Sequence, residues 1–393
     1  MIYTPSMLPT LSKSHPMWRL GVCLLIGIIL AGCSRPVRNL PQPRSTPQSK
    51  ISLTPNLIEP SPFTQAVTDT PSPIPIPTIT LTSTPTISPD AIEPENTAEL
   101  EPALILDKQQ GTVFGVGLSP DGVRVASASA DTKVRLYETI SGELLFTMEH
   151  HNGTVRAVEF SPDGTTLVSG GRDHTLQIWN PITGERITGA RTSGEVTDLA
   201  FAPDSSRFAT VGFYSAVGEI WQAGTAGPLG TLDGHHTRLR SVAYDPTGEW
   251  MATGDESGVI IVRDASTAKP LYGLDVGKAQ VMTLAFSPDG THLAAGTDRA
   301  YILVYNVESQ ILERDWVAQG GQVTKVLYSP DGRLLISSGV DGTIRFWDTE
   351  SYEQVGKLTG HGASIRDIAL SHDGATLASG GDDWRVFIWR LPH

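Results

Sequence analysis

One tetrapeptide returns along this chain at an almost fixed interval, and an interval of that length constrains the fold more than any single residue does. It reads Ser119-Pro120-Asp121-Gly122, Ser161-Pro162-Asp163-Gly164, Ala202-Pro203-Asp204-Ser205, Asp245-Pro246-Thr247-Gly248, Ser287-Pro288-Asp289-Gly290, Ser329-Pro330-Asp331-Gly332 and Ser371-His372-Asp373-Gly374. Successive starts lie 42, 41, 43, 42, 42 and 42 residues apart. An apolar-alternating run precedes each turn and a small, apolar run follows it, as in Leu167-Val168-Ser169-Gly170-Gly171. Both have the period of two that places alternate side chains on opposite faces of a strand. A unit of about 40 to 45 residues built from a turn and short β-rich runs is a propeller blade. Seven units predict an all-β, seven-bladed propeller over residues 101–393.

The rest of each unit agrees. A turn aspartate and a second strand ending in an aromatic residue follow, from Asp131 to Tyr137, Asp173 to Trp179, Asp341 to Trp347 and Asp383 to Trp389. With His151, Ser169, Asp173 and Trp179 the second copy carries the full hydrogen-bonding set of the WD-repeat family, which the chain resembles; His361, Ser379, Asp383 and Trp389 repeat it in the seventh. The role this implies is structural, because buried polar groups must find partners. Copy four has Gly234-His235 but Arg263 in place of the aromatic, and copies three and five have Ser215 and Arg299 where the turn aspartate would stand. Blades that depart from the set are expected to be less rigid.

Ring closure is also written at the ends of the repeat region. Internal copies run on into a further strand, such as Glu143-Leu144-Leu145-Phe146-Thr147-Met148, whereas only four residues follow Trp389. The apolar run 103–106 ahead of the first copy is the expected donor of the missing outer strand, which would remove two open sheet edges.

Upstream, the composition changes twice. Arg19, an apolar stretch from Leu20 to Leu30, and Leu30-Ala31-Gly32-Cys33 have the layout of a secretory signal over residues 1–32. The last four resemble the lipobox of bacterial lipoproteins, which implies cleavage before Cys33, a lipid on its sulfur, and an extracytoplasmic, membrane-anchored place in a bacterial cell envelope. Cys23 would leave with the signal, so the processed chain would hold no disulfide. Residues 33–100 read as a disordered Pro/Ser/Thr-rich linker, exemplified by Thr70-Pro71-Ser72-Pro73, whose prolines favour an extended tether.

Charge and motifs narrow the function. Without residues 1–32, 27 basic side chains face 42 acidic ones, a net of −15 that argues against nucleic acid as a partner. No nucleophile elbow, phosphate-cradling loop, metal-ligand cysteine set or calcium loop is present, so no catalytic residue, metal ligand or cofactor is expected. The pairs His150-His151 and His235-His236 each place one member at a blade start that the fold already uses. An acidic or histidine cluster is not expected on the inner strands, which favours a noncatalytic, monomeric protein-binding platform over a propeller hydrolase or lactonase acting in the channel.

The WD resemblance further implies a partner-binding face built from set positions around the inner strands and turn aspartates. Carried over, those positions bring Phe114, Arg156, Arg172, Tyr214, Arg238, Arg240, Met282 and Arg366 together, with Glu195, Glu256, Asp298 and Asp382 among the others. Arginine and aromatic side chains are the residues that most often anchor interfaces, so an acidic protein segment or an anionic cell-surface ligand is expected there.

Overall fold

A computed structural model describes residues 87–392 except Pro89. The residues read as a signal peptide, Cys33 and most of the tract read as a linker lie outside the described residues. Among the described residues, 28 strands form seven four-stranded antiparallel sheets. The inner strands, from Val113–Leu118 in blade one to Ile365–Leu370 in blade seven, each lie beside the next, and the seventh lies beside the first.

The recurring turn explains the recurring sheet. Ser119 Oγ donates to Asp121 Oδ1 at 2.5 Å and accepts the Arg124 amide at 2.9 Å, while the Gly122 amide reaches the Ser119 carbonyl at 2.8 Å. Closing that loop places Gly122 at φ +68°, a conformation that costs glycine nothing and other residues strain. The turn therefore hands each inner strand to the next strand in a fixed register. Alternate apolar residues then fill the space between adjacent blades: Leu136 and Met148 of blade one pack with Val158, Phe160 and Trp179 of blade two. Burial of these interfaces is the main stabilising contribution, about 25 cal/mol per Å² of apolar surface.

The seventh sheet has the order Glu101–Leu106, Val386–Arg390, Leu377–Gly381, Ile365–Leu370, so the first strand among the described residues is the outer strand of the last blade. Leu104 pairs with Ile388 and Leu106 with Val386.

The reading of residues 33–100 as linker needs correcting at its end. Ile92 and Leu100 are buried with Leu334, Phe346 and Trp389 of blades six and seven, and the Ile92 amide bonds the Gly374 carbonyl at 2.9 Å. Thr97 donates to the Val355 carbonyl at 3.0 Å, and Arg333 pairs with Glu93 and Glu95. A few apolar side chains, set among prolines, suffice to hold this strap on the propeller.

Candidate partner-binding rim and channel

Strands run to the same two ends in every blade, so one end of the ring collects the turns that carry the His and Asp positions. In blade two the Trp179 indole N–H donates to Ser169 Oγ at 2.9 Å, and the serine hydroxyl lies 2.8 Å from His151 Nε2. Because an indole nitrogen only donates, the hydroxyl donates onward to Nε2, and His151 Nδ1–H points at Asp173, 3.0 Å away. Burial alone would raise the Asp173 carboxyl, but hydrogen bonds from His151, the Asn152 amide and Thr175 pull it down to about 2. His361, Ser379, Asp383 and Trp389 make the same chain in blade seven, with links of 2.8 to 2.9 Å.

Blade four also completes the network, against the expectation drawn from Arg263. His235 lies 2.8 Å from both Thr253 Oγ1 and Asp255, and the wholly buried Arg263 donates through Nε to Thr253 at 3.2 Å, as the tryptophan does elsewhere. Gln109 and Gln319 occupy the histidine place in blades one and six, donating to Ser127 at 2.8 Å and to Ser337 at 2.9 Å. In blade five Asp298, one residue ahead of Arg299, accepts the Gln280 amide at 2.8 Å.

Phe114, Arg156, Arg240, Met282 and Arg366 line the mouth of a central channel of about 500 Å³. Their arginines are not bare cations. Arg366 grips Asp382 through two bonds of 2.9 and 2.6 Å, Arg240 pairs with Glu256 at 2.8 Å, and Arg156 pairs with the buried Glu195. The guanidinium groups also sit over rings: Arg156 at 4.8 Å from the Phe114 centroid, Arg240 at 4.3 Å from that of Phe213. Tyr214 was expected just ahead of Ser215, which stands at the turn-aspartate place of copy three. Phe213 holds that place instead, because the turn between Thr210 and Trp221 carries one more residue than its counterpart between Ser169 and Trp179. Tyr214 lies outside the mouth, 67% exposed, stacked on His174 and covered by Arg238 at 5.6 Å. Arg172, with its side chain 53% exposed, stands 3.5 Å from Glu195.

Below the mouth the inner strands carry charges that the sequence reading had excluded. Lys325 Nζ lies 3.5 Å from Asp198 and 3.8 Å from Asp367, and Glu159 lines the same channel. Burial pushes Glu159 up to about 8 and Asp367 up to about 6, although Lys325 pulls both down. Burial would lower the Lys325 ammonium, yet Asp198, Asp367 and Glu159 together hold it above its usual range. Asp198 Oδ2 accepts the Val242 amide at 3.0 Å and Asp367 Oδ2 the Val116 amide at 2.9 Å, so both carboxylates also tie neighbouring inner strands together.

The comparisons with known proteins agree with this geometry. A family described as the IFT122 first beta-propeller matches residues 109–319, and the WD domain, G-beta repeat, matches residues 313–348 and 352–390. Protein HIR1 of Mycosarcoma maydis is 30% identical over 181 residues, covering 38% of this chain and 18% of the relative. Protein HIR1 of Eremothecium gossypii is 26% identical over 164 residues, covering 41% and 16% respectively. The chain thus spans less than a fifth of the length of these curated relatives. Since the first match runs over more than half of its length, the chain belongs to the IFT122 first beta-propeller family and is a seven-bladed propeller of WD repeats.

Proposed function

We propose that this propeller is a noncatalytic protein-binding platform, held to a membrane of a bacterial cell envelope by a lipid on Cys33, whose rim receives an acidic segment of a protein partner. The rim carries this reading. Arg238 stands exposed over Tyr214, and Arg172, although 3.5 Å from Glu195, keeps its side chain half exposed, whereas Arg156, Arg240 and Arg366 are more buried and held by Glu195, Glu256 and Asp382. The ligand is therefore expected on the side of blades two to four, with the tyrosine as anchor and the two arginines as carboxylate grips. WD-repeat membership supports a binding role, and the leader with its Leu30-Ala31-Gly32-Cys33 box supports the anchor.

Affinity capture from crosslinked cells tests the platform. A variant carrying Arg172→Ser, Tyr214→Ser and Arg238→Ser is expected to lose most of the partner recovered by the native chain, and equal recovery would refute the rim. Cys33→Ser is expected to move the chain from the detergent phase to the aqueous phase on partitioning, and unchanged partitioning refutes the lipid anchor.

A second reading, a propeller hydrolase or lactonase, draws support from the Glu159, Asp198, Asp367 and Lys325 cluster, because perturbed acids in a cavity are a mark of functional sites. Turnover in a panel of ester and lactone substrates that vanishes in Glu159→Gln would favour it over the platform.

A further inference from the structure

The strap on the seam of blades six and seven has a near copy in the same chain. The strap reads Ile87-Ser88-Pro89-Asp90-Ala91-Ile92-Glu93-Pro94, and 34 residues upstream stands Leu53-Thr54-Pro55-Asn56-Leu57-Ile58-Glu59-Pro60. Four of the eight positions are identical and three keep their chemistry, so Ala91 against Leu57 is the one pair that differs much in size. The triplet of Ile58-Glu59-Pro60 and Ile92-Glu93-Pro94 occurs at no third place in the chain.

The shared positions are the ones that hold the strap. The Ser88 amide bonds the Asp373 carbonyl at 3.0 Å, and the Ile92 amide bonds the Gly374 carbonyl at 2.9 Å. Ser88 Oγ accepts the Asp90 amide at 3.1 Å, a turn that threonine forms as well. Ile92, 1% exposed, is buried in the cluster of Leu334, Phe346, Leu358 and Trp389, and Leu391 packs against that cluster. Glu93 pairs with Arg333 at 3.3 Å. Residues 53–60 carry the same donors, the same isoleucine and the same glutamate.

Blade seven is built to receive such a segment. In blades one and six the Thr139 and Thr349 hydroxyls donate to the Gly122 and Gly332 carbonyls at 2.6 and 2.7 Å. Leu391 holds that place in blade seven, two residues beyond Trp389, and has no hydroxyl to give. The Gly374 carbonyl therefore takes its donor from a docked backbone, and the leucine adds apolar surface for an isoleucine. One seam back, His292 and Thr349 hold the places of Leu334 and Leu391, so that seam is polar.

We propose that the seam of blades six and seven is a peptide site with two ligands in its own chain, and that residues 53–60 replace residues 87–94 in it. The strap is the stronger ligand. Ala91, 4% exposed, sits against Gly374, where a leucine is crowded. Glu95 bonds Arg333 at 2.6 Å and Asn96 accepts the Glu93 amide at 2.9 Å, whereas the copy has Ser61 and Pro62 at those places. The copy thus takes the seam when the strap leaves it. Replacement depends on neither the platform nor the anchor. With the lipid on Cys33 proposed above, it would shorten the tether by 34 residues, on the order of 100 Å of extended chain, and draw the rim toward the membrane.

Hydrogen exchange of the full chain, read by mass spectrometry, tests the site. In the native chain the amides of residues 90–93 are expected to be slow and those of residues 56–59 fast. Ile92→Asp should reverse the order and slow residues 56–59 at least tenfold, and Ile58→Asp/Ile92→Asp should leave both segments fast. Residues 56–59 that stay fast in Ile92→Asp, while the strands of blades six and seven remain protected, would overturn the proposal. A second arm leaves the strap intact and decides the matter even where Ile92→Asp does not fold. A synthetic peptide of residues 51–62, at a millimolar concentration comparable with that of a tethered segment, captures the seam whenever the strap opens. It should speed exchange of residues 90–93 in the native chain at least threefold, and the same peptide with Ile58→Asp should not. Equal effects from the two peptides, or none from either, would refute the site. Slowing of residues 56–59 that fades on dilution would put the copy on a neighbouring chain and refute replacement within one chain.

Discussion

Blades two and four build the same hydrogen-bonded network with different closing residues, and the contrast shows what the position requires. Trp179 pairs across the sheet with Leu167, and Arg263 with Met251, so the two side chains occupy one register place. Both are buried. Trp179 offers a single N–H to Ser169, whereas Arg263 offers one to Thr253, one to the Asp233 carbonyl at 2.6 Å and one to the Ala268 carbonyl at 3.3 Å. The shared demand is a flat, bulky group with an N–H aimed at the central hydroxyl. Aromaticity is one way to meet it. A guanidinium is another, provided that its remaining donors find carbonyls, because a buried charge with unmet donors would be expelled. Burial draws Arg263 down to about 10, with Asp233 opposing, so it remains charged at neutral pH.

The largest expected effect comes from emptying the place. Trp179→Ala should cost about 3–5 kcal/mol through the cavity it leaves and the lost donor to Ser169. Arg263→Ala should fall in the same range of about 3–5 kcal/mol, because three acceptors lose their donors together. Urea unfolding midpoints measure both, and a loss under about 1 kcal/mol for Arg263→Ala would mean that the arginine merely fills space.

Exchange of the two residues gives a smaller and sharper test. Glu149 and Gly184 stand in the same sequence relation to blade two as Asp233 and Ala268 do to blade four, so an arginine at 179 would find equivalent carbonyls. Trp179→Arg should therefore recover at least half of the stability lost in Trp179→Ala, and Arg263→Trp should lie within about 1 kcal/mol of the native chain. A Trp179→Arg chain as unstable as Trp179→Ala would show that the acceptors are peculiar to blade four.

The contrast also explains what could and could not be read in the sequence. The seven turns and the complete sets of blades two and seven are local patterns, with hydroxyl, turn aspartate and indole a few residues apart, so they were legible. Arg263 was not, because its suitability depends on the carbonyls of Asp233 and Ala268, which only the folded blade brings to it. Phe213 was hidden by a one-residue insertion in its turn, and Ile92 by the prolines around it. The channel charges escaped for a different reason. Asp198, Lys325 and Asp367 sit at one register place on three inner strands, and Glu159 two places along a fourth, so no window of sequence contains them together. At the rim the arginines and their carboxylates were all in view, and the pairing of Arg156 with Glu195 follows only from the closeness of neighbouring blades.

The smallest effect is a difference in pH dependence between the native chain and Arg263→Trp. Burial holds the His235 imidazole below its usual range, Asp255 opposes that shift, and the nearby Arg263 charge adds to it. The folded state therefore keeps His235 neutral at pH values where the unfolded chain has already taken up its proton. Linkage then requires this contribution to be intact above about pH 6.5 and to shrink as the pH falls below that value. Replacing Arg263 by Trp removes one repulsive charge, so His235 should titrate at a higher pH, and the stability lost between about pH 7 and 5 should be smaller. Glu159, raised to about 8, works in the opposite sense, because its folded state retains a proton that the unfolded chain releases as the pH rises. That contribution is common to both chains and cancels in their difference. Imidazole chemical shifts of His235, followed beside unfolding midpoints across the same range, measure both sides of the linkage. An unchanged His235 titration in Arg263→Trp would show that the guanidinium charge is neutralised by its carbonyl acceptors and acts in blade four only as a donor.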